Sequence, residues 1–72
     1  MQYAIVIETA AGSSNYSAYV PDLPGCITTG RTVEEVKRNM QEAIEFHLEG
    51  LRADGLAIPE PTTAVAIIEV AA

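Results

Sequence analysis

The stretch that most constrains the fold runs from Thr32 to Arg52. Apolar residues recur at Val33, Val36, Met40, Ala43, Ile44, Leu48 and Leu51, the three-or-four spacing that draws one stripe along an α-helix. Thr32 and Glu35 form a capping-box pair: the threonine hydroxyl accepts from the third helical amide, and Glu35 reaches back to the Thr32 N–H. Glu34 and Glu35 add negative charge to the first turn, where the helix dipole favours it. Asp54-Gly55 supplies a left-handed stop, and Pro59 and Pro61 forbid an early restart. Gly50 costs about 1 kcal/mol against alanine inside a helix, so the last turn either frays or presses closely on a neighbour. This is the one long helix, and the rest of the chain reads as strands and turns that cover one of its faces.

Before it, Gln2 to Glu8 is a β-branched, apolar run that reads as a strand covered on both faces, and therefore central. Ala11-Gly12-Ser13-Ser14-Asn15 is turn-like, and Tyr16 to Val20 forms the second arm of a hairpin. Pro21-Asp22-Leu23-Pro24-Gly25 ends that arm, since two prolines and a glycine leave no room for a ladder. Cys26 to Gly30 is a third short strand that leads into the helix cap. After the helix, residues 55–63 form an extended connection, and Ala64 to Val70 reads as a fourth strand, apolar on both faces. The expected class is α+β in the order β-β-β-α-β. Three antiparallel strands come first, and the last strand returns beside the first, parallel to it, to give a mixed sheet with one helix on one face. The other sheet face keeps too many apolar residues for water and calls for a partner.

Seventy-two residues make a single domain, residues 1–72, near the lower size limit for one self-sufficient core. The composition is 49% hydrophobic but only 6% aromatic, so that core is aliphatic, and such a core rarely supplies more than about 3–5 kcal/mol. One cysteine excludes an internal disulfide. Self-association, as a dimer or tetramer, is the expected remedy. Four basic against ten acidic residues give a net charge of −6. That disfavours direct contact with nucleic acid or an anionic membrane, which need clustered Lys and Arg, and suits a basic partner. No basic, apolar leader and no membrane-length apolar run occur, which with the lone cysteine points to the cytoplasm.

Catalytic chemistry finds little support. His47, the single histidine, stands at the edge of the apolar stripe, and Glu45 and Glu49 point elsewhere on the helix. Cys26 has no base near it in sequence and reads as a small apolar strand residue. The helix carboxylates Glu34, Glu35, Glu42, Glu45 and Glu49, with Lys37 and Arg38, look like a solvated face. A metal site needs converging carboxylates, and Glu8, Asp22 and Glu69 are too scattered to complete one. The glycines match no phosphate-binding spacing. No catalytic, cofactor or metal residue is assigned.

The residues around the turn carry a family resemblance. Tyr16 to Cys26 with its Pro-Asp-Leu-Pro-Gly-Cys turn, the Thr-Val-Glu-Glu helix start at 32–35, the helix end from His47 to Gly55 and the Pro59-Glu60-Pro61 exit together resemble the HicB-like antitoxins over nearly the whole chain. The resemblance implies a partial RNase H-like fold and an antitoxin that binds and blocks a small, basic, RNA-cleaving HicA-like toxin. Many members add a DNA-binding domain; the sequence ends after the fourth strand, so operator binding is not implied. The candidate partner-binding residues are Asp22 in the turn and Glu34, Glu35 and Glu42 on the helix. Asp22 is equally suited to capping the turn. Two other readings stand beside this one: a stand-alone oligomer that binds a small molecule at a subunit interface, and an RNase H-like nuclease relying on Glu8 or Glu42.

Overall fold

The sheet begins with a four-residue ladder. In the computed structural model, which describes residues 1–9 and 12–71, β1 (Val6–Thr9) pairs antiparallel with β2 (Tyr16–Tyr19), from Val6 opposite Tyr19 to Thr9 opposite Tyr16. β2 pairs antiparallel with β3 (Ile27–Gly30), from Tyr16 opposite Gly30 to Tyr19 opposite Ile27. The helix α1 (Val33–Ala53) follows two residues later. Of the expected hairpin turn, Ala11 lies outside the described residues.

β1 is shorter than the expected run from Gln2, and the cause lies in its partner. In the β1–β2 register Ala4 would face Pro21, which has no N–H to donate, while the Val20 N–H continues towards β3, to the Cys26 carbonyl (3.2 Å), and closes the loop that also holds Leu23 N–H to Val20 (3.1 Å) and Cys26 N–H to Leu23 (3.0 Å). The loop folds Leu23 inward until it is fully buried. A Pro/Gly-rich turn thus supplies a plug as well as a reversal.

Alternation gives the sheet two unlike faces. Ala18 points in, between Ile7 and Thr28, while Tyr19 points out, between Val6 and Ile27. α1 lies on the inner face, over β3 and β2 more than over β1. Ala18, Val20, Leu23, Cys26, Val36 and Met40 form the sealed core. No polar or charged side chain is buried among the described residues.

The helix ends behave largely as the sequence dictates. Thr32 is the N-cap and its hydroxyl accepts the Glu35 N–H at 3.0 Å, an arrangement worth about 1 kcal/mol. Glu35 reaches one residue further back than expected: its carboxylate accepts from the Arg31 N–H (3.2 Å), not from Thr32. At the far end Gly55 takes φ +70. Its N–H bonds to the Arg52 carbonyl (3.0 Å) and that of Leu56 to Leu51 (2.9 Å), the paired bonds of a Schellman stop. Gly50 neither frays nor packs, since α1 continues to Ala53 and open space surrounds its Cα. The close approach is at Gly30, where a Cβ would lie 2.9 Å from both the Val36 Cγ2 and N atoms. Asn39 adds a bond from its Nδ2 to the Thr29 carbonyl (2.9 Å). Strand and helix meet here with no room for a side chain.

The α+β class, the three antiparallel strands and the helix on one face are as expected. The fourth strand requires correction. Residues 56–71 carry no strand pairing, and the sheet ends at β1 on one side and β3 on the other. Val65, Ile67, Ile68 and Val70 are 67–95% exposed. β1 is therefore an edge and not a centre. Contacts at its root fix where the segment begins.

Candidate functional site

Those contacts converge on Asp22. Its carboxylate accepts four hydrogen bonds from the connection: the Thr62 N–H (3.1 Å) and hydroxyl (3.0 Å), and the Thr63 N–H (3.1 Å) and hydroxyl (2.9 Å). Partial withdrawal from water pushes the Asp22 pKa up. The hydrogen bonds, that from the Thr63 hydroxyl foremost, outweigh this and hold it below the ordinary aspartate value. A second tie runs from the Tyr3 hydroxyl to the Pro59 carbonyl (2.6 Å). Sequence reading named Asp22 but missed its partners; two adjacent threonines forty positions away give no local signal.

The remaining acidic candidates separate. Glu35 is half-buried and engaged at the cap. Glu34 and Glu42 are exposed, two turns apart, on the side of α1 that also presents Glu45 and Glu49. Phe46, one turn beyond Glu42, is 79% exposed. It was not part of the apolar stripe, and the sequence offered no reason to single it out. Phe46 walls an open depression of about 480 Å³ at the β3 side with Ile27, Ala43, His47 and Leu51. Ile27 is itself 71% exposed. An aromatic side chain thus stands in water beside the carboxylates of Glu42, Glu45 and Glu49.

Cys26, His47 and Asp54 border the same depression, a residue set that invites a nucleophilic reading. The geometry does not assemble one. The Cys26 sulfur faces the Met40 sulfur at 4.0 Å inside the core, and burial pushes its thiol pKa up, away from the thiolate. No hydrogen bond joins the three among the described residues. Nor do the nuclease candidates meet: Glu8 points from the outer sheet face, beside Ser17, whereas Glu42 is on the exposed side of the helix that covers the inner face. Among the described residues no three His, Cys, Asp or Glu side chains are placed to hold a metal ion.

A second groove, of about 540 Å³, runs along the β1 side between Tyr3 and Ile5 on one wall and Met40, Ile44 and Leu48 of α1 on the other. It exists because α1 sits towards β3, leaving the first segment half covered. Its continuation past Gln2, Lys37 and Gln41 reaches Thr63.

Known proteins share this architecture. A solved HicA3 and HicB3 toxin-antitoxin complex contains a chain that superposes with a TM-score of 0.71 at 31% identity, over 86% of this chain and 70% of that one. A UPF0150 protein of Helicobacter pylori is 44% identical over 81% of this chain and 82% of its own length. Another, from Thermoplasma acidophilum, is 39% identical over 82% and 84%. An uncharacterized 14.9 kDa protein of Haemophilus phage HP1 is 42% identical, but the aligned part makes up only 44% of that protein. Residues 3–71 match the model of the HicB-like antitoxin of bacterial toxin-antitoxin systems. With strands, helix and turn agreeing over nearly its full length, the chain belongs to the HicB-like antitoxin family.

Proposed function

We propose that this protein is the antitoxin of a two-protein pair, and that it neutralises a small, basic, RNA-cleaving HicA-like toxin by covering its nucleic-acid-binding surface. The observation that carries this reading is the likeness, in fold and at 31% identity, to a chain of the HicA3 and HicB3 complex. Charge supports it: at −6 the protein is drawn to a cationic partner and repelled by RNA or DNA. The protein acts by binding, without a reaction of its own, in the cytoplasm where such a toxin meets RNA. No helix among the described residues is long and apolar enough to cross a membrane.

The partner-facing surface is the exposed side of α1. Glu34 and Glu42, with Glu45 and Glu49, replace the phosphates that the toxin otherwise binds, and Phe46 is the anchor among them. Asp22 and Glu35 act indirectly, by holding the C-terminal connection and the helix start. The proposal requires a short basic reading frame adjacent to its gene, and co-expression with that neighbour tests it. A co-purifying complex and restored growth are expected, with affinity lost at least tenfold in Glu42→Lys/Glu45→Lys and in Phe46→Ala. Absence of both complex and rescue overturns it.

A further inference from the structure

The segment 64–70 and the groove beside Tyr3 and Ile5 are two halves of one interface that the single chain leaves open. Seven residues, almost all apolar, project into solvent. The molecule is drawn out to 48 Å, with a radius of gyration of 14.0 Å against about 11 Å for a compact chain of this length. Beside the root of this segment, residues 2–5 lead into β1, a sheet edge with no strand on its outer side, and an apolar groove runs behind residues 3–5. The segment starts at the mouth of the groove, where Thr63 lines its end, and then leaves it.

We propose that the arm 64–70 exchanges between two copies, adding as a strand beside residues 2–9 of the second molecule while that molecule's arm completes the first. The lengths agree when residues 2–5 extend β1 on pairing: seven arm residues span about 23 Å, and residues 2–9 in extended form a similar distance. In extended form Ala64, Ala66, Ile68 and Val70 share one side, which fits the groove lined by Ile5, Ile44 and Leu48. Val65 and Ile67 then join Val6, Tyr19 and Ile27 on the outer face. A second copy is favoured over closure on the same chain because the arm starts beside Gln2, Tyr3 and Ala4 and still runs exposed, with no strand pairing to its own edge. The Asp22 clamp and the Tyr3 tie fix the connection at Pro59, Thr62 and Thr63, and Pro59 and Pro61 stiffen it against doubling back. Mutual exchange closes as a two-fold dimer and leaves neither arm uncovered.

Light scattering of the full chain tests this, together with intermolecular NOEs in an equal mixture of isotope-labelled and unlabelled protein. The expected result is twice the chain mass, with NOEs from residues 64–70 of one copy to residues 2–5 of the other. Ile68→Lys/Val70→Lys, whose changes lie outside the sealed core, should keep the helical circular dichroism and lose the dimer. A monomer mass for the unaltered chain overturns the proposal. So does a dimer that survives the double substitution, or a set of arm contacts found only within one molecule. Toxin binding through α1 is a separate readout, so either result leaves the function reading to its own test.

Discussion

Asp22 and Thr63, 41 positions apart, are joined twice: the Asp22 carboxylate accepts the Thr63 hydroxyl at 2.9 Å and its backbone N–H at 3.1 Å. With the matching pair from Thr62, one side chain in the loop between β2 and β3 sets where the C-terminal segment begins.

The bonds favour the ionised carboxylate, so the Asp22 pKa is lower folded than unfolded. Its contribution is complete above the ordinary aspartate value of about 3.9 and disappears as pH falls through the lower folded value. The Thr62 and Thr63 amide resonances should shift together in that acid range, and in Asp22→Asn they should not titrate. Midpoints at or above the ordinary value would show that the clamp does not favour the charged form.

Leu23→Ala removes a fully buried side chain from between sheet and helix. A loss of about 2–5 kcal/mol is expected, a large part of the total for so small a domain. Urea unfolding measures it, and a change within experimental scatter would mean that the loop plug is dispensable.

Gly30→Ala places a methyl group 2.9 Å from the Val36 backbone nitrogen as well as its Cγ2. The nitrogen cannot move without the helix, so a cost of about 1–3 kcal/mol is expected. Gly50→Ala, with open space around it, should instead stabilise by up to about 1 kcal/mol. The two variants together separate steric cost from helix propensity, and equal effects would refute the distinction.

How far the sequence is legible follows from the range of the interactions. The helix shows in its stripe, its Thr32 cap and its Gly55 stop because each depends on neighbours within a turn. β3 is one residue shorter than expected, starting at Ile27, because Cys26 is bonded into the preceding loop. Residues 64–70 have the composition of a strand, but pairing depends on which edge is within reach, and no property of the segment encodes that. The same limit applied to the site. Glu34 and Glu42 could be placed on the helix exterior by counting turns, whereas the engagement of Asp22 with Thr62 and Thr63 required the tertiary path of the connection.

The sheet order β1-β2-β3, with α1 starting two residues after β3, also governs the kinetics of assembly. Every packed pair of elements joins neighbours along the chain, apart from the helix over β2. Few long loops must therefore close before native contacts reward them, and a fast, single-step search is the consequence. The C-terminal threonines reach Asp22 across forty residues, a far longer closure than any between the strands and the helix, and one that carries a correspondingly larger entropic cost.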